Sequence, residues 1–165
     1  MMQRAVLLLA AVLALTGCHR REITKLERDE AANLVSEAQF AVTLKEWDRA
    51  EGLFAKATQL CPDNGDMWVN LGMVRMRLND HGGARTAYKS ALSAFKEELS
   101  SNPTNTETRL HRAYILVILG DPDGARSEVE KARAKYPDDR LLRNFIENHG
   151  MEKMLADPEL KSLSP

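Results

Sequence analysis

The chain has 165 residues, 23 of them Lys or Arg and 24 Asp or Glu, with a formal net charge of −1 and 5% aromatic residues. That balance excludes a general nucleic-acid binder, which needs a basic surface. Two cysteines allow at most one disulfide, and the length suits one domain with a continuous core.

The chain opens on Arg4, an unbroken apolar run over 5–15, and then Leu15-Thr16-Gly17-Cys18. Such a run is too short to span about 30 Å of hydrocarbon as a helix and reads as the core of a secretory signal. The four residues that end it resemble the lipobox of bacterial lipoproteins. The resemblance implies cleavage before Cys18, whose thiol then carries a diacylglycerol; this covalent lipid is the only prosthetic group expected. An ordinary signal peptide with an incidental cysteine is the alternative. Residues 1–17 are then the signal peptide and 18–23 a tether of at most roughly 20 Å, which holds the protein near the membrane. His19 in place of aspartate after the lipidated cysteine implies the outer membrane, facing the periplasm. His19-Arg20-Arg21 either touches anionic headgroups or is a solvated linker.

Thr24-x-x-Glu27 reads as a capping box at the start of one long helix over 24–45, with Ile23 and Leu26 covering the first unit behind it. From there a pattern recurs. Ala50, Phe54 and Ala57 are followed 34 positions on by Ala84, Tyr88 and Ala91, and 41 beyond that by Ala125, Val129 and Ala132. Each copy ends on a proline, at Cys61-Pro62, Asn102-Pro103 and Tyr136-Pro137. The extra residues of the longer copy therefore fall between Ala91 and Pro103. Seven residues are about two helical turns, so Leu92, Phe95 and Leu99 stay on the apolar face of a lengthened helix. Asp121-Pro122-Asp123-Gly124 places an N-cap aspartate before a proline at the first helical position. Asn79-Asp80-His81-Gly82-Gly83 and Glu46-Trp47-Asp48 hold the same place in the other copies, with Gly82-Gly83 as a tight inter-helix turn. Thr104-x-x-Glu107 reads as a second capping box. No stretch alternates with period two long enough for a strand, so the chain is expected to be all helical.

Trp68, Leu71 and Gly72, followed by Ala84, Tyr88, Ala91 and a terminal proline, resemble the tetratricopeptide repeat (TPR). The resemblance covers roughly 31–139. It weakens in the first helix of the outer copies, where Leu34, Glu37 and Ala38, and then Arg109, Arg112 and Ala113, stand at the signature positions. It implies an all-α fold: a short alpha-alpha superhelix of about three TPR helix-turn-helix units (31–64, 65–105 and 106–139) within an array over 24–139. A C-terminal cap helix and tail over 140–165 follow. Ala38, Gly72 and Ala113, with Ala50, Ala84 and Ala125, let the two helices of each unit approach closely.

An enzyme is excluded on inventory. His19, His81, His111 and His149 show no i, i+4 pairing suited to a metal, no serine sits in a Gly-x-Ser-x-Gly turn, and Gly82-Gly83 lacks the lysine of a phosphate loop. Neither a cofactor nor a small-molecule substrate is expected. If Cys18 carries lipid, Cys61 has no intramolecular partner and reads as a small packing residue before Pro62.

Binding remains. The resemblance implies that the first helices of the units line a concave groove, presenting Val35, Gln39 and Thr43, then Asp66, Val69, Asn70, Met73 and Arg77, then Glu107, Leu110, His111 and Tyr114. Gln39, Asn70, Met73, Arg77, His111 and Tyr114 are the candidate contacts. Met73 and Tyr114 suit a docked peptide or helix, or equally pack between neighbouring helices. Some relatives grip a terminal carboxylate with lysines and asparagines. Here only Asn70 fits, while Asp66 and Glu107 would repel one, so no carboxylate clamp is expected. Beyond Pro137, Leu141, Leu142, Phe145 and Ile146 form one face of a capping helix. Asp157-Pro158-Glu159-Leu160 then begins a short helix folding back through Leu155, Leu160 and Leu163, or a loose tail. Two functions follow: a lipid-anchored adaptor that recruits a partner protein or peptide, as small TPR lipoproteins do in secretion or pilus assembly, or a structural subunit held by its convex face or cap.

Overall fold

The computed structural model describes residues 21–164, and the signal segment and Cys18 lie outside them. Among the described residues there are helices and no strands: α1 (Lys25–Thr43), α2 (Trp47–Leu60), α3 (Gly65–Arg77), α4 (His81–Ser101), α5 (Thr106–Ile118), α6 (Pro122–Lys135), α7 (Arg140–Glu147), α8 (Gly150–Ala156) and α9 (Pro158–Ser162). They pack in antiparallel pairs, α1 with α2, α3 with α4 and α5 with α6, and each pair stacks on the next. The result is a short all-α superhelix with a C-terminal cap.

The alternation of small and large residues explains the pairing. Ala38, Ala50, Ala84, Ala113 and Ala125 are fully buried, and the bulky partners Phe54, Tyr88 and Val129 recur at equivalent positions of α2, α4 and α6. α4 has 21 residues against 14 in each of α2 and α6. The two extra turns carry Phe95 and Leu99 inward, Phe95 into the same core as Tyr88, Ile115 and Ile118.

The turns repeat in register too. After each first helix the chain enters the left-handed region, at Lys45 (φ 59), Asn79 (φ 59) and Gly120 (φ 81). At all three the following N–H reaches back to close the helix, Glu46 to the Ala41 carbonyl, Asp80 to Arg75 and Asp121 to Leu116. This is the Schellman closure, for which glycine is the favoured residue. The second helices α4 and α6 are then capped by Asp80 and Asp121, whose carboxylates accept from Gly83 and Gly124, whereas Glu46 makes no side-chain cap for α2. The first turn is thus the weakest, a lysine in a left-handed conformation beside an uncapped helix. Lys45→Gly should stabilise the protein by up to about 1 kcal/mol, since the roughly 1–2 kcal/mol that a side chain pays for positive φ is partly offset by glycine's larger loss of chain entropy; a higher urea midpoint at unchanged slope is the expected reading.

Five local expectations need correction. α5 is capped by Asn105, not Thr104: Asn105 accepts from the Thr108 N–H and donates to Glu98, while the Thr104 hydroxyl turns to Asn102. Asparagine is the stronger N-cap, and here it also ties α5 to α4. Gly82 and Gly83 lie within the first turn of α4 rather than between helices, because Asp80 ahead of them is the N-cap and its carboxylate accepts from the Gly83 N–H. The first helix ends at Thr43, two residues before Lys45 takes its left-handed conformation. Ile23 packs beside Ala31 and Cys61, but Leu26 is 75% exposed, since it sits about 140° around α1 from Ala31. In α7, Leu142, Phe145 and Ile146 take the inward face at i, i+3, i+4 spacing, which rotates Leu141 outward to 44% exposure.

Cys61 is buried, its thiol 3.8 Å from the Glu27 carbonyl, and burial pushes the thiol pKa up. Both observations fit a packing residue better than a reactive thiolate. The tail is seated. Leu160 and Leu163 are buried against Tyr88, Phe95, Ile115 and Ile118.

Candidate functional site

The first helices α1, α3 and α5 lie side by side, and helical spacing sends one stripe of each to a common face. Two cavities open there. One, of about 220 Å³ between α1 and α3, is lined by Gln39, Val42, Trp47, Phe54, Asn70, Met73, Val74 and Arg77. The other, of about 370 Å³ between α3 and α5, is lined by Asp66, Val69, Leu110, His111, Tyr114, Ile115 and Met154. The six candidate contacts are therefore divided: Gln39, Asn70, Met73 and Arg77 share the first cavity, and His111 and Tyr114 share the second. Met73 also packs against the core around Tyr88, so it is both wall and filler.

Polar groups sit at the edges of an apolar floor. His111 Nδ1 donates to Asp66 Oδ1 at 3.2 Å, joining α5 to α3 across the second cavity. That hydrogen bond, reinforced by the Asp66, Glu107 and Glu98 charges, raises the His111 pKa against the opposing effect of burial. The imidazolium thus stabilises the folded chain fully below the ordinary histidine pKa, and its contribution fades as pH rises through the elevated value. The His111 ring also lies 5.7 Å from the Phe95 ring, tilted by 55°. Beneath, the Tyr88 phenol is wholly buried with no hydrogen-bond partner, and burial, then the neighbouring Tyr114, push its pKa up.

Two features escaped sequence reasoning. The first is the tail: Met154 forms part of the second cavity, and Asp157 and Glu159 lie close enough to Tyr114 to add to the effect of burial in raising its pKa. The second is the third unit's divergent signature. Trp68 Nε1 donates to the Pro62 carbonyl at 3.0 Å, and Arg109, 41 positions on, donates through its terminal nitrogen to the equivalent Pro103 carbonyl at the same distance. Arg109 also lies over the Tyr136 ring at 5.5 Å, and Tyr136 donates its hydroxyl proton to that carbonyl at 2.6 Å. Glu128 binds Arg109 at 3.3 Å and Arg112 at 3.6 Å, so an ionic layer stands where the second unit has Trp68, Leu71 and Ala87. The constant 41-residue offset was the available signal.

Among the described residues, no group of three or more His, Cys, Asp or Glu is placed to hold a metal, and no helix is long and apolar enough to cross a membrane. Stacked helix pairs with an apolar first-helix face define a helical-repeat protein. Models of the tetratricopeptide repeat match residues 35–98 and 85–147, so together they span 35–147, and the chain belongs to this family. Anaphase-promoting complex subunit 3 of Schizosaccharomyces pombe is 28% identical over 92 residues, 56% of this chain; the match spans only 13% of the length of that protein. Among solved structures, the Yersinia enterocolitica type III secretion chaperone SycD, in complex with a peptide of the translocator YopD, is similar at 18% identity and TM-score 0.48, over 84% of this chain and 98% of that one. PcrH from Pseudomonas aeruginosa is similar at 21% identity and TM-score 0.46, over 84% of this chain and 96% of that one. The family assignment rests on the repeat models.

Proposed function

We propose that this protein is a lipid-anchored adaptor of the bacterial cell envelope, which binds a segment of a partner protein on the face of its first helices and serves secretion or pilus assembly. It carries no reaction of its own. The observation that carries the reading is the pair of apolar cavities along that face, edged by Gln39, Asn70, Arg77 and His111. Apolar floors supply affinity and polar rims set orientation, the usual division at a recognition surface. The anchor reading rests on Leu15-Thr16-Gly17-Cys18, with the lipid on Cys18 and the array a short distance from the outer membrane.

The alternative, a structural subunit held by its convex face or its cap, would need exposed apolar residues on the second helices or on the cap. Among the described residues the exposed large hydrophobics are Leu26, Phe40, Leu44 and Leu141: none lies on α2, α4 or α6, and a single one, Leu141, lies on the cap helix α7. Cross-linking and mass spectrometry on intact envelopes tests the adaptor reading: cross-links should map to α1, α3 and α5. A partner found only on the convex face overturns it. In the same preparations Cys18→Ser should move the protein out of the membrane fraction. Retention of that variant in the membrane, with its signal processed, would remove the anchor from the proposal.

A further inference from the structure

The C-terminal segment already lies against the face where the proposed partner would dock. Leu160 on α9 and Leu163, the residue that caps its C-terminus, are 4% and 5% exposed and join the core around Tyr88, Ile115 and Ile118. Met154 of α8 lines the cavity with Val69, His111 and Tyr114.

We propose that residues 157–163 are an intramolecular plug of the groove, displaced by a partner segment of like chemistry: a short amphipathic helix with apolar side chains three residues apart. This deepens the adaptor reading and rests on it.

Three observations carry the inference. α8 and α9 have seven and five residues, far below the length at which a helix stands alone in water, so their order depends on the docked side chains. Burying two leucines offsets only part of the chain entropy lost by ordering residues 157–163, which leaves a segment poised to detach. Second, the tail fills the groove incompletely. About 370 Å³ stays open beside Met154, room for an apolar side chain that the tail does not supply. Third, the Tyr88 hydroxyl is buried without a hydrogen-bond partner, on the side of Tyr114 and Arg77. Tyr88 shares its core with Leu160 and Leu163, and its hydroxyl stays orphaned with the tail docked, so a partner helix that brings an acceptor to it would gain where the tail does not. Tethering gives the tail a high effective concentration, so a partner must contact more of the groove than the tail does in order to displace it.

The test uses the full chain and a labelled synthetic peptide of residues 150–164. With Leu160→Asp and Leu163→Asp together, the tail cannot seat, and the peptide should bind that variant at least tenfold more tightly than wild type by fluorescence anisotropy. A peptide carrying the same two aspartates should bind neither. Equal binding of the unaltered peptide to both proteins overturns the plug. In case the variant folds poorly, hydrogen exchange on the wild-type chain provides the second reading. Excess peptide should speed exchange at residues 158–163 and leave α1 and α2 unchanged; tail exchange unmoved by millimolar peptide overturns the proposal. Envelope cross-links confined to the groove, together with a failed peptide test, would discard the plug and keep the adaptor. Cross-links on the convex face alone would discard the adaptor while leaving the peptide result standing.

Discussion

Gly72→Val is expected to destabilise the protein by about 3 kcal/mol, the upper end for a side chain forced into a full core. A Cβ at Gly72 would lie 2.7 Å from Tyr88 Cδ1 and 2.9 Å from Cζ. The ring has no room to retreat, because Tyr88 is fully buried among Ala84, Ala91, Phe95 and Ile115. The helix propensity of a non-glycine residue, worth up to about 1 kcal/mol, works in the opposite direction and is smaller than the clash. Gly72→Ala shows both effects more evenly and should cost about 1–2 kcal/mol. The equivalent pairs in the other units identify the cause. They are Ala38 with Phe54 and Ala113 with Val129, so an alanine is tolerated where the opposing residue is placed or sized differently. In a Tyr88→Val background, Gly72→Ala should become neutral or slightly stabilising, a coupling that a double-mutant cycle in urea reads directly. An alanine equally costly in both backgrounds would mean that the ring is not what excludes the Cβ.

The same comparison separates what was legible in the sequence from what was not. Spacing carries information wherever a residue type is forced by geometry. Alanine or glycine is needed where two helices touch, and a proline suits each exit. Seven inserted residues keep Phe95 and Leu99 on the buried side because two turns nearly preserve phase. These features recur three times, so chance matches are filtered out. Local chemistry with near-equivalent choices is less legible. Thr104 and Asn105 both make credible caps, and only the reach of Asn105 to Glu98 decides between them. Gly82-Gly83 has the composition of a turn, yet the Asp80 cap starts the helix ahead of both glycines. Single-pass features are least legible. Leu160 and Leu163 have no repeat to confirm them, and a seven-residue stretch is too short for periodicity to favour docking over a loose tail. The candidate site fared in the same way: helical phase puts Asn70, Met73 and Arg77 on one face of α3, but the division of the face into two cavities, with Met154 in the second, depends on long-range packing.

Arg109 marks the limit of matching by residue type. Read against a signature that expects tryptophan, the third unit looks degraded, but its arginine fills the same role by a different route. The guanidinium is flat, donates to the Pro103 carbonyl and stacks on Tyr136, as an indole could. The cost is a second basic residue beside it. Arg109 and Arg112 have side chains only 16% and 22% exposed, and Glu128, at 15%, is the carboxylate that faces both. Glu128→Ala should therefore cost about 2–4 kcal/mol, slightly below the range for breaking a fully buried pair, because water retains partial access. The lost attraction is the smaller part. Two like charges would be left together at low exposure, with the Nε atoms of both arginines already lacking partners. Glu128→Gln keeps a hydrogen-bond acceptor and should cost about half as much. The decisive variant rebuilds the layer as the second unit has it, with Arg109→Trp, Arg112→Leu and Glu128→Ala together, which copies Trp68, Leu71 and Ala87. Replacing an ionic cluster by apolar residues is often neutral or stabilising, so this triple change should recover most of what Glu128→Ala loses. If it is as unstable as the single variant, the surrounding helices have adapted to the ions, and the third unit can no longer accept the packing that its offset from the second implies.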